Sequence, residues 1–190
     1  MKLQEWLEHI SLQHSKAIDM GLDRMREMVG RLDLESPAEQ VVTVAGTNGK
    51  GSTVIAVESL LLSAGMTVLS SISPHVKRFN ERIRINGEEA LDLDICSAFQ
   101  SIDEARLLDR EIPLTYFEYS ALASLYLAKM KQVNVAIFEI GLGGRLDAFN
   151  VIDAHTAVIT SIGYEHMEFL GNNLESVSYT HLTLPTMDSV

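Results

Sequence analysis

The amino-acid sequence predicts an α/β fold: a P-loop nucleotide-binding domain whose mostly parallel sheet is flanked by helices. Short, nearly all-apolar runs alternate with longer segments of helical periodicity, the pattern of a parallel sheet covered on both faces. A glycine loop, Gly46–Thr53, joins one such run to one such helix. The polar clusters follow the ends of the predicted strands, where open α/β sheets gather their ligands.

The elements follow in chain order. Met1-Lys2-Leu3-Gln4-Glu5-Trp6 opens an amphipathic helix that carries acid, with no basic segment leading into an apolar one, so no export signal is read and a cytoplasmic location is expected. Leu22, Met25, Met28, Val29 and Leu32 recur at helical spacing, and Gly30 and Pro37 sit toward the end of that pattern. Val41–Ala45 is a β-branched run entering the glycine loop, after which Val54, Val57, Leu60 and Leu61 resume helical spacing. Met66–Ile72 reads as a second strand ending at Ser73-Pro74, Asp92–Asp109 and Tyr116–Lys131 as helices, and Val133–Ile140 and Thr156–Ile162 as two further strands. No internal repeat is evident. The last thirteen residues, Ser178–Val190, lose both periodicity and the mixture of charges seen upstream, and are expected to be foreign sequence, leaving 1–177 as the domain.

Composition narrows the functions. A chain of 190 residues with 46% hydrophobic content can bury a core. Its longest apolar stretches, Val57–Ala64 and Val133–Ile140, fall well short of the roughly 20 residues of a membrane span, so no membrane partner is expected. Fifteen Lys and Arg against 26 Asp and Glu leave a net charge of −11, which opposes general affinity for nucleic acid. An acidic protein that binds a nucleotide must use local devices: a helix N-terminus, a lysine, a metal ion. A single cysteine, Cys96, rules out an intrachain disulfide and a thiolate zinc cluster and reads as packing.

Such a device is present. In Gly46-Thr47-Asn48-Gly49-Lys50-Gly51-Ser52-Thr53 the glycines let backbone N–H groups turn toward a phosphate. Lys50 supplies a point charge, and the hydroxyl of Ser52 or Thr53 can ligate Mg²⁺. Val44 stands where the usual pattern has its first glycine, and Gly51 separates Lys50 from Ser52. A plain strand-to-helix turn is the alternative.

Ala45-Gly46-Thr47-Asn48-Gly49-Lys50-Gly51-Ser52 resembles the P-loop that marks the folate-glutamate ligases, the bifunctional dihydrofolate synthase/folylpolyglutamate synthase family of the Mur ligase superfamily. Four further segments resemble that family in the same order: His14–Leu22, Ser73-Pro74-His75 with Asn80-Glu81-Arg82, Leu114–Tyr119, and Glu139–Asp147. Together they span most of residues 6–177.

The resemblance implies ATP on Gly46, Thr47, Asn48, Gly49, Lys50, Gly51, Ser52 and Thr53, and Mg²⁺ on Ser52, Ser73, Glu139 and His166, with Lys50, Glu139 and His166 catalytic. Oxygen ligands suit a hard cation. A carboxylate at Glu139 would be costly to bury unpaired, and a metal or a salt bridge to Arg145 would each relieve that. It also implies a pterin or folate site on Ile18, Asp19, Met20 and Gly21, on Thr115, Tyr116, Phe117 and Glu118, and on Leu146, Asp147 and Ala148. Aromatic faces can stack on a flat heterocycle and carboxylates can accept from its N–H groups. Tyr116, Phe117 and Tyr119 read equally as helix-packing aromatics. Ser73–Arg84 is implied as a mobile loop whose Arg78, Arg82 and Arg84 either steer anionic substrate or are solvated.

The implied reaction joins L-glutamate to dihydropteroate or folates at the expense of ATP, through an acyl phosphate. Two departures stand out: Glu165 precedes His166 where the family shows Asp, and Phe149 replaces its Thr. The family's Glu-Lys-Ala-Gly stretch and its carboxy-terminal, glutamate-binding domain are not found, so the chain is expected to be a truncated, inactive and monomeric fragment. Two other readings are a Mur-type amino-acid ligase and an ATP-binding module without ligase activity.

Overall fold

The computed structural model describes residues 1–13, 19 and 21–163. Its strands are β1 (Gln40–Ala45), β2 (Val68–Ser71), β3 (Ile83–Ile85), β4 (Glu88–Glu89), β5 (Val135–Glu139) and β6 (Thr156–Ile159). Its helices are α1 (Leu3–Ser11), α2 (Asp23–Leu32), α3 (Lys50–Ser63), α4 (Asp92–Arg106) and α5 (Tyr116–Met130). Among the described residues the strands form one sheet in the order β4-β3-β2-β5-β1-β6. The β2–β5, β5–β1 and β1–β6 pairs are parallel. β5, late in the chain, thus lies between β1 and β2, with Glu139 opposite Val44 and Phe138 opposite Ser71.

Side chains alternate across this sheet, as the period of two requires. Val41, Leu69, Ala136 and Phe138 join the larger core under α1, α2, α4 and α5. Val44, Val68, Val135 and Ile137 face the other way and pack on Val54 of α3. Tyr119, one of the aromatics left open by sequence, is fully buried beside Phe99 and donates its hydroxyl to Asp103, 2.8 Å away. Its role is packing between α4 and α5.

The sheet is mostly parallel, as expected, and antiparallel at one edge. Part of the segment expected as a mobile loop runs through a short 3-10 turn, Phe79–Arg82, into the antiparallel hairpin of β3 and β4. The turn residues Asn86 and Gly87 have φ of 51° and 86°, the left-handed pair that a two-residue hairpin of this twist needs. An Asn-Gly pair is that signal in sequence, but flanking strands this short carry little alternation. At the opposite edge, β6 is exposed or half-buried throughout, unlike the apolar inner strands. No helix among the described residues is long and apolar enough to cross a membrane.

Candidate active site

The glycine loop leaves β1 at Ala45 and enters α3 at Lys50. Gly46 is needed there twice over. Its φ is 131°, and a Cβ at this position would stand 2.1 Å from Thr160 Oγ1. The loop is braced from the far end of β6: Thr47 N donates to the Ser161 carbonyl at 2.7 Å, and Gly163 N donates to Thr47 Oγ1 at 2.9 Å. α3 has no side-chain cap, so its first amides are open to an anion. Lys50 arches back over the loop, its Nζ donating to the carbonyls of Gly46 at 2.8 Å and Thr47 at 3.0 Å. The two candidate hydroxyls are not equivalent. Thr53 Oγ1 donates to the Gly49 carbonyl at 2.8 Å, whereas Ser52 is exposed in the first turn of α3.

Glu139 ends β5 beside this helix terminus. It is only 5% exposed, and its Oε2 accepts from Ser73 N at 2.9 Å. The same oxygen lies 3.6 Å from where a Cβ on Gly51 would be. Burial pushes the Glu139 pKa up, partly countered by the Ser73 amide and the Lys50 charge. Ser73 reaches the carboxylate because β2 and β5 are neighbours and the chain leaves β2 just before the cis Ser73-Pro74 peptide. Among the described residues no group of three His, Cys, Asp or Glu could hold a metal ion. The oxygen donors that could hold a cation here are the Glu139 carboxylate, which meets the Ser73 amide and the Gly51 backbone, and, as the resemblance implies, the Ser52 and Ser73 hydroxyls. That chemistry fits Mg²⁺, which keeps several waters and takes phosphate oxygens rather than filling a protein cage. His166 lies outside the described residues.

A cavity of about 290 Å³ opens at the same carboxyl ends of the strands. It is lined by Asp19, Gly21, Thr115, Phe117, Glu118, Leu146, Asp147 and Ala148, all expected from sequence, and also by Ser73, Pro74, Arg82, Gly141 and Leu142. Ile18 and Met20 lie outside the described residues. Tyr116 does not line the cavity; its ring packs edge-on against Phe79 at 6.0 Å, under the Arg82 guanidinium at 5.6 Å. At the start of α5, adjacent side chains point about 100° apart, so Phe117 and Tyr116 cannot share one wall. Phe149, the departure whose effect sequence left open, is buried: it stacks on Phe138 at 4.7 Å and meets Phe117 edge-on at 6.0 Å. It supports the cavity wall from behind.

The cavity's carboxylates are held by specific donors. Glu118, 4% exposed, closes a capping box at the start of α5: Oε2 accepts from Thr115 N at 2.8 Å, while Thr115 Oγ1 accepts from Glu118 N at 3.2 Å. Its Oε1 accepts from Arg24 Nε at 3.1 Å, and Arg24 also donates to Asp19 Oδ2 at 2.6 Å. Asp147 accepts from Gly141 N at 2.9 Å, Leu142 N at 3.0 Å and Phe149 N at 3.0 Å. Burial nonetheless raises its pKa from 3.8 to about 6. Arg24 escaped the sequence reading, because nothing in its local pattern distinguishes it from Arg26, which pairs with exposed Asp23 on the same helix. Of the three arginines after the Ser-Pro-His turn, Arg78 pairs with Glu89 and Arg84 with buried Glu58, and Arg82 alone faces the cavity.

A strand, a glycine loop and a helix, with a carboxylate on the adjoining strand and a cavity beside it, are the arrangement of a P-loop nucleotide-binding domain. The chain matches the Mur ligase middle domain over residues 44–184 and belongs to that family. Within it, the chain is similar to the dihydrofolate synthase/folylpolyglutamate synthases. It is 45% identical to that of Haemophilus influenzae over 177 residues, 93% of this chain and 40% of the relative. To that of Escherichia coli it is 46% identical over 175 residues, 92% of this chain and 41% of the relative. The fold superposes on E. coli FolC in complex with DHPP and ADP with a TM-score of 0.92 at 45% identity, covering 95% of this chain and 43% of that one. A bifunctional folylpolyglutamate synthase/dihydrofolate synthase with Mn, AMPPNP and L-glutamate bound gives 0.87 at 42% identity, covering 95% and 43%. The chain thus spans about two fifths of the length of these relatives.

Proposed function

We propose that this chain carries the nucleotide site and the pteridine cavity of an ATP-dependent ligase that adds L-glutamate to dihydropteroate and to folates. The relatives' names and the ligands of the solved neighbours, DHPP, ADP, AMPPNP, Mn and L-glutamate, support that reading. One observation carries it: Ser73 and Gly141 line the cavity, and between them Glu139, next to Gly51, borders the phosphate loop. A carboxylate presented at the cavity's Ser73 end therefore meets a γ-phosphate presented on the loop.

The chemistry follows from that meeting. A carboxylate is a weak electrophile, so one of its oxygens attacks the γ-phosphorus, ADP departs, and an acyl phosphate forms. The amine of glutamate then attacks the acyl carbon, loses a proton, and expels phosphate. The α3 amides and Lys50 hold the phosphates and favour the charge that develops on the phosphoryl oxygens. Phe117 offers a ring face to a flat heterocycle, and the buried carboxylates of Glu118 and Asp147 mark the polar wall. Mg²⁺ held through Ser52, Ser73 and Glu139 would neutralise phosphate charge.

Lys50→Ala tests the assignment by equilibrium titration of this chain with MgATP and, separately, with dihydropteroate. The expected result is a loss of nucleotide affinity of about tenfold or more, as for removal of a charged hydrogen-bonding group, with dihydropteroate binding unchanged and a cooperative thermal unfolding transition retained. Unaltered nucleotide binding, or a wild-type chain that does not bind dihydropteroate, would overturn it.

A further inference from the structure

The cavity contains a contradiction for an anionic substrate. Three carboxylates, Asp19, Glu118 and Asp147, line it, and among the described residues Arg82 is the one cation in the lining. Arg24, the cation nearest Glu118, spends its donors on Glu118 and Asp19. Arg82 differs. Its Nε donates to His75 Nδ1 at 2.7 Å, and among the described residues no protein acceptor takes its Nη groups. The guanidinium rests over two rings, 5.9 Å from the Phe79 centroid and 5.6 Å from that of Tyr116. Half-buried, it pays desolvation that no carboxylate of the chain returns, and burial holds its pKa below the ordinary arginine value. A guanidinium so held, on a residue that lines the cavity and with its terminal N–H groups unclaimed among the described residues, matches the geometry of an incoming carboxylate.

We propose that Arg82 binds the carboxylate of the cavity's substrate through its Nη groups, and that His75 is the positioning residue that aims it. The placement is consistent with the chemistry, since Arg82 shares the lining with Ser73 and Pro74, and its carbonyl accepts from Ile72 N at 3.0 Å, next to the Ser73 whose amide meets Glu139 beside the phosphate loop. The loop that carries both residues is tied by hydrogen bonds of its own. Glu81 accepts from the amides of Val76 at 2.7 Å and of Lys77 and Arg78 at 2.8 Å each, which folds the segment back so that His75 meets Arg82. The inference rests on reading the cavity as the site of a pteridine-linked benzoic acid.

The test compares two ligands on the same chain: dihydropteroate, and its carboxamide, which has the same shape but no charge. Wild type is expected to prefer the acid by roughly 10- to 100-fold, the range for a charge-assisted pair. Arg82→Met, which keeps the apolar stem, is expected to bind both ligands within about twofold of each other at the carboxamide's wild-type affinity. Retained carboxamide binding shows that the variant is folded; Arg82→Lys, expected to keep part of the preference, serves where it is not. His75→Leu is expected to lose the preference, whereas His75→Asn, whose Oδ1 can accept from Arg82 in place of Nδ1, keeps it. Wild type binding acid and amide equally, or a preference that survives in Arg82→Met, overturns the role of Arg82 and leaves the ligase reading standing. Equal behaviour of the two His75 variants overturns the positioning role. Failure of wild type to bind either ligand overturns the ligase reading and this inference with it.

Discussion

Gly141→Ala perturbs the cavity through a single added methyl group. The new Cβ would stand 2.7 Å from Phe117 Cζ and 2.9 Å from its Cε2, inside any real carbon contact. Restoring an ordinary separation of about 3.6 Å moves the ring by roughly 1 Å. Phe149 meets Phe117 edge-on and is itself stacked on Phe138, so the ring's way out is into the cavity of about 290 Å³. Overpacking of this kind costs about 1–3 kcal/mol. An opposing effect comes from the unfolded chain: Gly141 does not have a positive φ, so alanine fits its backbone and restricts the unfolded state, worth about 0.4–1 kcal/mol. The steric effect wins, and the net expectation is a destabilisation of about 1–2 kcal/mol. Urea unfolding measures that quantity, and titration with dihydropteroate should show affinity falling by about tenfold while MgATP binding is unchanged. A variant as stable as wild type that binds dihydropteroate equally well would refute the close approach of Phe117 to the Gly141 backbone.

Asp147 predicts a pH effect of defined sign. Its pKa rises from 3.8 to about 6 on folding, chiefly through burial, so the folded chain holds a proton that the unfolded chain has released. Stability is therefore lost as pH rises from about 4 to about 6, by up to about 3 kcal/mol, and is level above that window. Asp103, whose pKa is lowered despite burial by Arg106, Tyr119 and His9, contributes in the opposite direction and loses its contribution as pH falls. In Asp147→Asn the first effect disappears, and unfolding free energy measured across pH 4–6 should climb more steeply than in wild type; parallel curves would exclude the raised pKa. Arg24→Met removes the partner of Glu118 and leaves that carboxylate buried, an expected loss of about 3–5 kcal/mol in chemical unfolding. The double variant Arg24→Met/Glu118→Gln should recover part of it, and no recovery would mean that the charge pair is not the cause.

Local chemistry was legible. The β-branched run before Gly46, the glycine loop and the periodic residues after it lie as strand, turn and helix, with α3 beginning at Lys50. α2, α4 and α5 fall within a few residues of the periodic segments that predicted them. Short elements were not legible: β3, of three residues, holds its place through pairing with β2, and β4, of two, through pairing with β3, and a run that brief shows no periodicity. The same limit applied to Tyr116 and Phe117. Both read as candidate stacking faces, and helix geometry against Phe79 and Arg82 turned one of them away from the cavity.

What the sequence by itself determined about this protein are the groups and their local conformation: an anion-binding loop, a run of inner strands, and carboxylates and hydroxyls at strand ends. Those follow from backbone freedom at glycine, from apolar periodicity and from donor chemistry, all of which act over a few residues. Only the tertiary structure decided which strand ends meet. Ser73 and Glu139 stand 66 positions apart in the chain and 2.9 Å apart in space because β5 inserts between β1 and β2. Arg24 reaches Glu118 across 94 positions, and Arg82, one of three similar arginines, is singled out by the rings and imidazole that hold it. Strand order and side-chain direction are settled by burying two faces of one sheet at once, a property of the whole chain that no short window contains.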